Sequence, residues 1–221
     1  SRSISIPPLK QYRPTRDLLH VSGLLLTGDT LDVFVCHLPS RSGGAKESES
    51  YRLYAAHILR MEVDSIMSIR SLPQVIIMGD FNDYPTNQSI QKILEAEAPP
   101  VTTNNLASTT GSTNFSTVAP SSLKLYHLLA RKAKSKDFGS YKYRGEWGLL
   151  DHLIVSGTLL NQSNHFFTSE EKANVCLLPF LLKDDEKYGD KEPFRTYKGM
   201  KYQGGVSDHL PIYADFELIL Y

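Results

Sequence analysis

Cysteine is scarce: Cys36 and Cys176 are the only two in 221 residues. That excludes a disulfide framework, and Cys36, inside an apolar run, reads as a buried thiol. No apolar run reaches the roughly 18 residues that would read as a membrane-spanning helix. Net charge is missing too. Lys+Arg and Asp+Glu number 24 each, so no overall field draws in a polyanion, which disfavours a dedicated nucleic-acid binder. The opening Ser1-Arg2-Ser3-Ile4-Ser5-Ile6-Pro7-Pro8 has neither a methionine nor a signal peptide. A soluble chain is expected, with export left open. Glutamate is absent before Glu47.

What is present suits one domain or most of one, with 41% apolar residues to bury. Leu18 to Leu26 and Leu31 to Cys36 read as strands joined by the turn Thr27-Gly28-Asp29-Thr30. Residues 49–70 predict a helix with Tyr54, Ile58, Met61 and Ile69 on one face, and Val75 to Met78 predicts a buried strand. Thr86 to Ala98 reads as a second helix stopped by Pro99-Pro100, and Leu123 to Ala133 as a third. Between them, residues 99–122 carry no charge and read as an irregular connection. Tyr213 to Leu220 predicts the last strand, after a long loop from Leu160 to Gly205.

Polar groups with chemical potential sit at four predicted strand ends. Gly79 ends the Val75–Met78 strand, and Asp80 and Asn82 then emerge two residues apart, on one side of an extended chain. An acid and an amide so placed suit the positioning and deprotonation of a water beside a phosphate or hard cation. Taken alone, the same pattern also describes an Asx-turn closing a strand. Ser207-Asp208-His209 precedes the last strand and offers a metal-binding oxygen beside a group that titrates near neutrality. Asp151 enters the run His152 to Ser156, and His37 ends the run Val33 to Cys36 before Leu38-Pro39. Each group has a bland reading as a hydrogen-bonded strand plug. Four in one chain favour a common site.

The order His37, Gly79-Asp80-Phe81-Asn82, Asp151, Ser207-Asp208-His209 resembles the endonuclease/exonuclease/phosphatase superfamily, to which deoxyribonuclease I belongs, over nearly the whole chain. The resemblance implies an α/β fold, specifically a four-layer α/β/β/α sandwich of the deoxyribonuclease I-like type. It also implies phosphoester hydrolysis with Mg²⁺ or Mn²⁺. Asp80 and Asn82 match the pair that activates and orients the attacking water, Asp208 a metal ligand, and His209 with Asp151 the catalytic His–Asp dyad. His37 matches the histidine beside the scissile phosphate. Arg16 falls where relatives place a phosphate-binding arginine, with Arg13 and Arg41 as competitors. One departure stands out. The family delivers a metal-binding glutamate on an early strand, and none leaves a strand before His37. Residues 1–221 are therefore expected to be the C-terminal portion of a single domain whose first strands are missing.

Two segments are candidates for substrate recognition. Arg131 to Trp147 interleaves Arg131, Lys132, Lys134, Lys136, Lys142 and Arg144 with Tyr141, Tyr143 and Trp147. Arg144 and Trp147 there suit a phosphate attached to a base or sugar, although a solvated helix end with packed aromatics has the same composition. In the second, Phe194, Arg195, Tyr197 and Tyr202 are available to cover a ligand, ahead of Gly204-Gly205. Balanced charge favours a small molecule, sugar phosphate or lipid head group over long nucleic acid. The alternatives are a nuclease and an incomplete domain that binds a phosphorylated ligand without cleaving it.

Overall fold

Strand-forming runs in the first 80 residues build most of one sheet. The computed structural model of the protein describes residues 1–8, 15–101 and 120–220. In it β1 (Arg2–Ile4), β2 (Leu18–Leu24) and β3 (Thr30–His37) lie antiparallel in sequence order. The chain crosses over through α1 (Glu49–Ile69), and β4 (Gln74–Asp80) returns parallel to β3. Next come β5 (Leu125–His127), the hairpin of β6 (Tyr141–Tyr143) and β7 (Glu146–Gly148), and β8 (Asp151–Ser156). β8 inserts antiparallel between β4 and β5, so the sheet order is β1-β2-β3-β4-β8-β5.

Both faces of the centre are covered, which explains the unbroken Val75-Ile76-Ile77 run. Val75 and Ile77 join Phe34, Cys36 and Ile154 under α1, while Ile76, Leu153 and Val155 pack on the other side. The layer on that side is built from short strands: β9 (Phe166–Phe167), β10 (Ala173–Val175), β11 (Leu182–Asp184), β12 (Lys191–Pro193), β13 (Tyr197–Lys198), β14 (Lys201–Tyr202), β15 (Ile212–Ala214) and β16 (Glu217–Leu218). They pair as β9–β16, β10–β15, β11–β12 and β13–β14. The fold is α/β, as the sequence implies. Among the described residues, no helix is long and apolar enough to cross a membrane.

Several local expectations are corrected. α1 buries Arg52, Ala55, Ala56, Leu59, Val63, Ile66 and Met67, whereas Met61 is 59% and Ile69 69% exposed. The small Ala55 and Ala56 let the helix lie close to the sheet beside Leu59, Val63, Ile66 and Met67, while Met61 and Ile69 face away. Leu123 to Ala133 is not a helix. The open edge of β8 captures Leu125–His127 as β5, a tertiary pairing that overrides helix propensity. Thr86 to Ala98 shrinks to a π-helical turn at Ser89–Ile93. The Leu160–Gly205 loop is instead a series of short pairings, and the last strand is split between β15 and β16. Most of the uncharged connection, residues 102–119, lies outside the described residues. Cys36 is buried as expected, and burial pushes its thiol pKa up.

α1 is tied to the turn after β4 by a buried ion pair. Arg52, 1% exposed, donates from Nε to Asp83 Oδ1 at 2.7 Å and from Nη1 to Ser48 Oγ at 2.7 Å. Ser89 Oγ donates to the other Asp83 oxygen, also at 2.7 Å. Removing one member strands a buried charge. Arg52→Ala is expected to cost roughly 3–5 kcal/mol in urea unfolding. A loss below about 1 kcal/mol, the range of exposed pairs, would show that the pair anchors nothing.

Candidate active site

Register alone aligns three of the expected side chains. His37 on β3 pairs with Asp80 on β4, and Asp80 pairs with Asp151 on β8. Neighbouring strands lie about 4.8 Å apart, so the three form a row along one end of the sheet. His37 Nε2 is 3.5 Å from Asp80 Oδ2. His209 arrives from a distant part of the chain, its Nδ1 at 2.7 Å from Asp151 Oδ2. Asp80, Asp151 and His209 bring their donor atoms within 4.8 Å of one another.

The turn after β4 holds Asp80 in place. Gly79 has φ +129°, and a Cβ there would lie 2.0 Å from the Cys36 carbonyl oxygen, so only glycine lets β4 close on β3. Asn82, at φ 52°, donates its backbone N–H to Asp80 Oδ1 at 2.7 Å and its Nδ2 to Asp80 Oδ2 at 3.1 Å. Nδ2 also donates to the Leu38 carbonyl at 3.1 Å. The expected Asx-turn is present, and it fixes the orientation of the Asp80 carboxylate.

Asp151 is supported from behind by Ser140, a residue the sequence did not single out. Ser140 Oγ donates to Asp151 Oδ2 at 2.5 Å, and Leu210 N donates to Ser140 O at 2.7 Å. Tyr141 bridges to His209 and stacks at a tilt against its ring, centroids 4.9 Å apart. The β6 segment therefore clamps the Ser207-Asp208-His209 segment against β8. Only tertiary contact reveals Ser140. Tyr141 was visible merely as one of several aromatics.

Charge follows from this packing. Burial raises the Asp80 pKa above 3.8, and the nearby Asp151 charge adds to the rise; the Asn82 N–H, His209 and His37 oppose them. Asp80 is a stronger base than a free carboxylate. Burial acts to lower His209, but the hydrogen bond and charge of Asp151, with Asp80 and Asp208, outweigh it and raise the pKa above 6.5. Because Nδ1–H donates to Asp151, Nε2 is the ring atom left to exchange a proton.

The other expected residues fare differently. Asp208 is exposed and lies outside the close trio, although its charge reaches His209. Arg16 is exposed, two residues before β2 and at the same sheet end as His37, since Leu19 pairs with Val35. Arg13 lies outside the described residues. Arg41 is engaged: Nε donates to the Asn82 carbonyl at 2.7 Å, Nη2 to Asn87 Oδ1 at 3.2 Å, and its guanidinium lies over Tyr84. Arg144 is exposed over Tyr143, and Trp147 is half-buried beneath Lys142. The basic stretch is not a free patch. Arg131 is paired with Glu170, Lys142 with Asp185, and Lys132 donates to the Ala173 carbonyl.

Carboxylate oxygens of Asp80, Asp151 and Asp208 are the kind of donor Mg²⁺ and Mn²⁺ prefer. The set fits such an ion in charge, but it offers few oxygens. Both Asp80 oxygens already accept from Asn82, and Asp151 Oδ2 accepts from Ser140 and His209.

A mixed sheet that gathers carboxylates and histidines at one end of its strands is a deoxyribonuclease I-like α/β fold. The chain belongs to the Endonuclease/Exonuclease/phosphatase family, whose sequence model matches residues 1–218. Among solved structures, it is similar to humanized D. rerio TDP2, with a TM-score of 0.52 and 14% identity, covering 98% of this chain and 65% of that one. An endonuclease/exonuclease/phosphatase family protein from Bacteroides thetaiotaomicron gives 0.51 and 14%, covering 99% and 64%. D. rerio TDP2 complexed with a single-strand DNA product gives 0.50 and 14%, covering 98% and 66%. At this identity the likeness concerns the fold, and the chain spans about two thirds or less of each structure's length. No curated protein matches the sequence.

The dyad predicts a pH signature. His209 should titrate above 6.5 by NMR, and Asp151→Asn should lower its pKa. Its contribution to stability should be fully present below about 6.5 and lost as pH rises through the folded value. An unshifted titration in Asp151→Asn would contradict the coupling.

Proposed function

We propose that the chain is part of a phosphoesterase domain that hydrolyses a phosphodiester or phosphomonoester by in-line attack of water. The observation carrying this reading is the His37–Asp80–Asp151 row with His209 hydrogen-bonded to its end. Asp80 accepts a proton from the attacking water, which Asn82 Oδ1 helps to orient. His209 exchanges a proton through Nε2 or, as imidazolium, holds the phosphoryl group, and Asp151 fixes its tautomer. His37 supports the leaving oxygen. A divalent cation, which Asp208 would help to hold, would supply positive charge to the phosphoryl oxygens.

A small phosphoester, sugar phosphate or lipid head group fits better than long nucleic acid. Net charge is zero, and much of the basic stretch is neutralised within the fold. A second reading has its own support. No glutamate precedes Glu47, so the metal donors available in these 221 residues are few, and the domain would bind a phosphorylated ligand without cleaving it.

Hydrolysis of p-nitrophenyl phosphate and its bis ester with Mg²⁺ or Mn²⁺ separates the two. His209→Ala and Asp80→Ala should each reduce turnover by roughly 10²–10⁴-fold. Variants retaining most activity would contradict the assigned roles, and an unsubstituted chain that binds phosphate without turnover would favour the second reading. A steep loss of activity with salt on DNA or RNA would instead mark a nuclease.

A further inference from the structure

Most cations near the site have anionic partners. Arg52 is committed to Asp83 and Lys142 to Asp185, and Arg41 faces Asp83 at 3.6 Å. Arg195 has no carboxylate partner among the described residues. Its Nη2 donates to the Lys142 carbonyl at 2.6 Å. Its Nε is buried and lacks a hydrogen-bond acceptor among the described residues. A buried N–H left in this condition is costly, and such groups are normally met by an ion, a water or a ligand.

The guanidinium is linked to the candidate site through Tyr141. The guanidinium carbon lies 5.2 Å from the centroid of Tyr141, and the same ring stacks against His209. The backbone couples the two residues as well. Gly205 N donates to Arg195 O at 3.1 Å, and Val206 N to Phe194 O at 2.8 Å, immediately before Asp208-His209. Gly205 has no room for a Cβ, which would meet Phe194 O at 2.1 Å. Arg195 and His209 therefore share one aromatic ring and one short stem, so neither can move far without the other.

We propose that Arg195 is a phosphate-contacting residue of this site, the guanidinium donors not engaged with the Lys142 carbonyl binding the non-bridging oxygens of the phosphoester. The assignment rests on the phosphoesterase reading and extends it with a residue that neither strand register nor the GDFN and SDH segments supply. A planar guanidinium held over a tyrosine ring suits this task, because its fork of donors matches phosphate oxygens. Lysine would keep the charge but lose the fork.

Two measurements test it. The 221-residue chain is treated with phenylglyoxal, which modifies arginine guanidinium groups, with and without inorganic phosphate, and the labelled positions are read by mass spectrometry. Phosphate is expected to protect Arg195 and to leave exposed Arg2, on the edge strand β1, labelled. By calorimetry, Arg195→Ala should bind inorganic phosphate about 10- to 100-fold more weakly than the unsubstituted chain. Arg195→Lys should recover part of the loss, and Arg2→Ala, on the edge strand β1, should match the unsubstituted chain. Phosphate that binds but leaves Arg195 unprotected, or that binds Arg195→Ala with unchanged affinity, overturns the assignment and leaves the phosphoesterase reading standing. Failure of the unsubstituted chain to bind phosphate, with or without Mg²⁺, overturns both. If Arg195→Ala does not fold, protection in the unsubstituted chain still decides.

Discussion

The in-register ending of β3, β4 and β8 is the constraint on which the site depends. A slip of one residue along any of these strands would turn its polar end residue to the opposite face and break the row. Apolar cover on both faces of β4 sets the register, and the turn after it locks the end. That turn is held from two sides. Arg52 grips the Asp83 carboxylate from α1, while His152 Nε2 donates to the Asp83 carbonyl at 2.8 Å. His152 Nδ1 then accepts from His127 Nε2, and His127 Nδ1 accepts from Leu129 N. An Nδ1 that accepts a backbone N–H carries no proton, so this chain of bonds exists in one tautomer and with neutral rings. Burial agrees, lowering His152 to about 4 and His127 well below its ordinary value. His127 and His152 serve as neutral struts, whereas His209, beside carboxylates, is biased toward charge.

Asp80 and His209 illustrate how one cluster prepares two kinds of proton chemistry. Burial raises both the basicity of Asp80 and the cost of leaving Asp151 unpaired. Asp151 resolves that cost by holding the His209 proton, with Ser140 as a second donor. The result is an imidazole whose tautomer is fixed by Asp151 and a carboxylate held by Asn82. Neither role needs a flexible loop. Both are set by strand ends and a three-residue turn.

Much of this was legible in the sequence because strands announce their ends. Gly79-Asp80, Leu38-Pro39 after His37, and Asp151 ahead of an apolar run each combine a stop signal with a polar residue. Legibility failed where partners from distant segments decide the outcome. α1 hides an arginine among alanines, so a search for large apolar residues selects Met61 and Ile69 on the wrong face. Leu125–His127 has helical composition, but a vacant edge of β8 makes it a strand. The Arg131–Arg144 cations look free in one dimension, and Asp185 and Glu170, which neutralise two of them, lie about 40 residues away. Ser140 and the placement of Arg195 depend wholly on such contacts.

The same neutralisation bears on what the site can hold. A protein that grips a polyanion keeps cations in excess and pays for their mutual repulsion, because affinity comes from releasing counterions along the strand. Here Arg41, Arg52, Lys142 and Arg131 are paired with Asp83, Asp185 and Glu170, so these four add little field beyond the fold. Recognition then has to be short-ranged, through donors that meet one phosphoryl group at hydrogen-bond distance. Three carboxylates and at most two imidazolium charges at the strand ends would repel an unaccompanied phosphate. A bound cation or an unpaired guanidinium must shift that balance, which is why Arg195, stacked one ring away from His209, matters more to this site than the cations already neutralised within the fold.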